Sequence, residues 1–126
     1  MKNLDQIRAK NALEAAHNPD KEFKGINEGE VVKKVPAMIQ QNGLLGALAF
    51  AINKEKGHAA VLEACIEHYA SLPNVMKPNA TDLEGFSKWL CGQDSAQLRA
   101  VTTEFLMYLN YLRRYVKKED GNENGD

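Results

Sequence analysis

Long hydrophobic runs are scarce: the longest uninterrupted apolar stretch covers residues 44–52, nine residues that include Gly46, against about twenty needed to span a bilayer. A membrane-spanning protein is not expected. The N-terminus, Met1-Lys2-Asn3-Leu4-Asp5-Gln6, has no apolar core or small-residue cleavage site, so no secretory signal is read there. Cysteine is nearly missing. Cys65 and Cys91 form neither a C-x-x-C pair nor a four-ligand set, which excludes a disulfide framework and a structural zinc module and fits free thiols in a reducing cytoplasm. The nine glycines match neither G-x-G-x-x-G nor the phosphate-cradling G-x-x-x-x-G-K-[ST], so nucleotide binding of those kinds has no support.

What is present is the material of one domain. A chain of 126 residues builds a single hydrophobic core and is too short for two. An apolar share of 44% with 26% charged residues is that of an ordinary globular domain, which argues against a disordered or fibrous chain.

The net charge of −1 conceals an uneven distribution. Residues 1–57 carry +2, residues 58–98 carry −3, residues 99–118 carry +4 and the last eight carry −4. Setting aside that acidic, Gly/Asn-rich end, the body is +3, so a local basic surface is expected despite the mildly acidic whole. We therefore expect one helical domain over residues 1–118 and a disordered acidic tail over 119–126.

Periodicity places the helices. Leu4, Ile7, Ala12, Leu13 and Ala16 make an imperfect helical stripe that Asn18-Pro19-Asp20 stops, because proline disfavours a helical residue before it. Val31, Val32, Val35, Met38 and Ile39 follow helical spacing up to Asn42-Gly43, with a kink expected at Pro36. Residues 44–52 are apolar nearly all round, predicting a central helix buried on most sides. Leu62, Cys65, Ile66, Tyr69 and Leu72 predict a helix over about 58–71, ended by Pro73. Thr81-Asp82-Leu83-Glu84 reads as a capping box opening a short helix that Gly92 ends. Asp94-Ser95-Ala96-Gln97 opens the longest one, with Leu98, Val101, Phe105, Tyr108, Leu112 and Tyr115 along its inner face. The expected fold is all-α, a bundle of about five or six helices with a long amphipathic C-terminal helix.

The opposite face of that last helix is mostly basic. At 100° per residue, Arg99, Thr103, Leu106, Asn110, Arg113, Arg114 and Lys117 form one stripe. Cations near a helix C-terminus favour the helix dipole, so charge alone needs no ligand. Leu106, set among Arg99, Asn110 and Arg113, suits a surface partly covered by a partner, and with Asn110 it is a candidate protein-interface residue.

Other constellations are weaker. His58, Cys65 and His68, with Glu67 adjacent, could be written as a metal or Cys/His nucleophile site, but Cys65 fits the apolar stripe and single histidines commonly border it. Glu63 and Glu67 pair at i, i+4 without a catalytic partner, as on any solvated helix face. No metal, cofactor or catalytic residue is expected, and the chain is not expected to be an enzyme.

Two segments carry a resemblance. Val35-Pro36-Ala37-Met38-Ile39-Gln40-Gln41-Asn42-Gly43-Leu44-Leu45-Gly46-Ala47-Leu48-Ala49-Phe50-Ala51, with Lys54 just beyond, and Arg99-Ala100-Val101-Thr102-Thr103-Glu104-Phe105-Leu106-Met107-Tyr108-Leu109-Asn110-Tyr111-Leu112-Arg113-Arg114, resemble the small helical subunit of the type III-B CRISPR effector, the Cmr complex. Residues 55–93 show little of it, so the resemblance covers about half of the chain. The resemblance implies a non-catalytic subunit of an RNA-guided, RNA-targeting antiviral ribonucleoprotein. Several copies would stack into an inner filament beside the backbone and large subunits, lining the channel that holds guide and target RNA. It also points to Lys54, Arg99, Arg113 and Arg114 as RNA contacts. Charge and helical position add Arg8, Lys33, Lys34 and Lys117. The competing expectation is a helical protein–protein adaptor whose basic face docks an acidic partner.

Overall fold

The computed structural model describes residues 3–18, 30–53 and 56–122, and the expected RNA contact Lys54 lies outside them. Five helices follow one another: α1 (Leu4–Ala16), α2 (Glu30–Asn53), α3 (Lys56–Ser71), α4 (Leu83–Cys91) and α5 (Ser95–Asn122). No strand occurs among the described residues, and the all-α bundle is as expected.

Local chemistry sets the ends. Asn3 caps α1 in a reciprocal box: its Oδ1 accepts from the Gln6 amide at 2.8 Å, and Gln6 Oε1 accepts from the Asn3 amide at 2.9 Å. The cap of α4 is Asp82, one residue later than expected. Its carboxylate accepts from the Gly85 amide, a bond that the shorter Thr81 is one position too early to make. Gly92 closes α4. Asp94 opens α5 by accepting from the Gln97 amide at 2.8 Å.

α5 is the spine of the bundle, packing on α1, α2 and α3, while α2 also packs on α3 and α4. Val101, Phe105, Tyr108, Leu109, Leu112 and Val116 fill the core from α5. Phe86 sits at its aromatic centre, 5.7 Å from the Phe105 ring, 5.4 Å from Trp89 and 6.2 Å from Tyr69.

Two expectations are corrected. Pro36 keeps helical angles where a kink was expected; the break lies instead at Asn42-Gly43, where a helix stop was expected, and two helical stretches of α2 meet there at non-helical backbone on Gly43 (φ 82°, ψ 161°). That φ/ψ combination is essentially a glycine preserve, so the break sits where the missing Cβ permits it. Residues 44–52 are not buried on most sides. Leu44, Ala47, Leu48 and Ala51 face the core at helical spacing, while Ala49 and Phe50 are exposed. The described part of α5 runs to Asn122.

The long α2 meets the length and composition of a membrane-crossing helix. Its break at Gly43 and its buried Val31, Val32, Val35, Ile39 and Leu48 are those of a core helix.

Candidate nucleic-acid interface

The outer face of α5 follows from the register of its inner face. Because residues 101, 105, 108, 109, 112 and 116 are buried, positions on the far side must point outward, and Arg99, Thr103, Asn110, Arg113 and Arg114 are all exposed. Leu106 is half-buried and packs against the core edge. Lys117 lies on the helical backbone of α5. From α2, Lys33 and Lys34 are exposed, with Lys33 Nζ 3.7 Å from Glu30. The result is one helical face bearing three outward arginines and, among its described side chains, no carboxylate.

Beside this face, α5 and the start of α1 enclose a cleft of about 280 Å³ lined by Asp5, Met107, Asn110, Tyr111 and Arg114. A second, more apolar groove of about 710 Å³ lies between α1, the segment after α3 and the start of α5, with Leu4, Val75 and Met76 among its walls.

Arg8 does not belong to the outward set. It aligns with Ala12 and Ala16 at four-residue steps, and all three are buried. Its guanidinium grips Glu104 of α5 through Nε (2.8 Å to Oε2) and Nη2 (2.7 Å to Oε1), while Nη1 donates to Asp5 at 2.9 Å. Three of its five N–H donors are thus engaged inside the protein, and the side chain is buried. Its role is to tie α1 to α5.

The same carboxylate organises His68. Asn11 Nδ2 lies 2.9 Å from His68 Nδ1 and donates also to Ser71 Oγ at 3.3 Å, so Nδ1 accepts and the Nε2–H donates to Glu104 Oε2 at 2.8 Å. The imidazole is stacked on Tyr108 with ring centroids 4.3 Å apart. Burial alone would raise Glu104, but hydrogen bonds from Arg8 and His68 together outweigh it and hold the carboxyl down at about 2.

This network holds His68 between Asn11 and Glu104. Cys65 is fully buried, and burial pushes its thiol far above the ordinary value. No group of three metal-ligating side chains is found among the described residues. The sequence did carry the signal for Glu104: it is an acid inside the stripe Val101, Phe105, Tyr108, where a buried charge demands a partner.

Compared with known families, residues 4–119 match the model of the CRISPR-associated protein family Cas_Cmr5. The chain belongs to this family. It is therefore a small subunit of a Cmr, or type III-B, complex, as the two sequence blocks imply. Among solved structures, the crystal structure of a CRISPR-associated Cmr5 family protein from Thermus thermophilus has the same fold. It is 20% identical, with a TM-score of 0.73, over 93% of this chain and 97% of that one. A search of curated proteins finds no match. The family match includes residues 55–93, where little resemblance was legible.

Proposed function

We propose that this Cmr5-family subunit is a non-catalytic, RNA-facing element of a cytoplasmic type III-B effector, with α5 as its contact with the guide and target RNA backbone. The observation that carries this reading is the outward row Arg99, Arg113 and Arg114 on a helix whose other face is locked into the core. Guanidinium groups suit phosphate oxygens by geometry as well as charge, and contact of this kind is independent of base sequence and sensitive to salt. Lys33 and Lys34, and the two lysines Lys54 and Lys117, extend the same proposal.

Stacking of several copies, and docking on the backbone and large subunits, needs a surface apart from the RNA face. The apolar groove walled by Leu4, Val75 and Met76, with Met76 55% exposed, supports that part of the reading.

The test is RNA–protein crosslinking inside the complex purified through a tag on this chain, with crosslinked residues mapped by mass spectrometry. Crosslinks on α5 near Arg99, Arg113 and Arg114 are expected. Co-purification of the partner subunits with no crosslink to this chain would assign the basic face to protein docking instead.

A further inference from the structure

The cleft between α1 and α5 has a composition that a purely electrostatic phosphate contact does not require. Along α5, Met107, Asn110, Tyr111 and Arg114 fall at steps of three, one and three, so they share one helical side, and Asp5 of α1 closes the opposite wall. Met107 is 38% exposed, an apolar side chain left toward solvent at the edge of the basic face. Asn110 supplies both an amide donor and a carbonyl acceptor. Asp5 is half of an ion pair: its Oδ1 receives Arg8 Nη1 at 2.9 Å, which offsets its charge and leaves Oδ2 as an acceptor.

Taken together these are an aromatic ring, a soft apolar wall, a two-way amide, a screened carboxylate acceptor and a guanidinium at the mouth. Unstacked bases of single-stranded RNA are recognised by such a set: stacking on an aromatic, hydrogen bonds to the base edge, and a cation on the adjoining phosphate. We propose that this cleft receives one unpaired nucleobase of the RNA whose backbone α5 contacts. The inference rests on the RNA reading above and adds to it a base-sized site. Tyr111 and Met107 hold the base faces, Asn110 and Asp5 meet its edge, and Arg114 takes the neighbouring phosphate. The Asp5 acceptor favours a base with an exocyclic amino group, cytosine over uracil.

The test uses the full 14.0 kDa chain, small enough for NMR titration, which registers weak binding. Cytidine 5′-monophosphate, uridine 5′-monophosphate and ribose 5-phosphate are added separately at low salt. Cytidine monophosphate is expected to shift the Asn110 side-chain amide, the Met107 methyl and the Tyr111 ring saturably, about 10-fold more tightly than ribose 5-phosphate, and uridine monophosphate less tightly than cytidine monophosphate. Tyr111→Leu, which keeps apolar packing and loses the ring, should remove the advantage of the nucleotides over ribose 5-phosphate. Asp5→Asn should remove the cytidine preference, and the exposed Asn110→Ala should weaken nucleotide binding with the fold intact. Equal shifts by cytidine monophosphate and ribose 5-phosphate, confined to Arg113 and Arg114, would overturn the base site and leave the phosphate reading standing. No shift with any of the three would overturn both.

Discussion

Arg8 of α1 and Glu104 of α5, 96 positions apart in the chain, meet side-on through two hydrogen bonds of 2.8 and 2.7 Å, with 8% and 9% of their surfaces exposed. Removing one member of a buried pair strands the other charge, which costs on the order of 3–5 kcal/mol. Arg8→Ala or Glu104→Ala should therefore lower stability in urea by about that amount. Arg8→Met with Glu104→Leu, apolar at both positions, should recover most of it. A single variant as stable as the parent would show that the pair does not tie α1 to α5.

The same pair predicts a dependence on pH. Glu104 is held at about 2 in the fold against an ordinary value of 4.5, so the unfolded chain binds its proton first as pH falls. The contribution is present in full above about 4.5 and is lost as pH drops toward 2. Urea midpoints measured across that range should fall for the parent. In Glu104→Gln the fall should be shallower. Identical slopes in the two proteins would remove Glu104 as its source.

The two thiols should behave oppositely. Cys91 is exposed at the end of α4, and Cys65 is fully buried in the core. A disulfide-exchange reagent should titrate Cys91 at once and Cys65 only on unfolding. Fast reaction of both in the native protein would reopen a role for Cys65 as a nucleophile.

The helices were legible where a single face is apolar and a cap or breaker marks the end. α5 shows this best, with Asp94 at its start and Val101, Phe105, Tyr108 and Leu112 inward. The basic face was legible as a consequence of that register. Two things were not. Arg8 reads as a surface cation because its partner is on another helix, and pairings across the chain leave no periodic trace. Residues 44–52 read as buried all round because composition reports hydrophobicity and not which neighbours cover it. In the fold, α2 packs on α3, α4 and α5 with Leu44, Ala47, Leu48 and Ala51 buried, and Phe50 is left 39% exposed. The cleft lined by Asp5 and Tyr111 joins two helices in the same way, and no local spacing announces it.

Gly43 offers a test of backbone strain free of packing. A Cβ added there would meet nothing within 4 Å, while the φ of +82° is one that side-chain-bearing residues rarely adopt. Gly43→Ala should cost about 1–3 kcal/mol, all of it conformational. Thermal unfolding of the variant against the parent measures this. An unchanged midpoint would mean that α2 straightens through residue 43 without penalty.

The basic face makes the sharpest claim, because its effect on binding and on stability should separate. Arg99, Arg113 and Arg114 are exposed, so replacing all three by alanine should leave the denaturation midpoint nearly unchanged. If each meets a phosphate of single-stranded RNA, each also releases about 0.7 of a counterion. The logarithm of RNA affinity, plotted against the logarithm of salt, should then lose about 2 from its slope in the triple variant. Arg8→Lys gives the counter-case: it disturbs the buried pair and should alter stability while leaving that slope as it was. A triple variant with full RNA affinity and an unchanged salt slope, but with weakened assembly onto the partner subunits, would convert the face from an RNA contact into a protein-docking one.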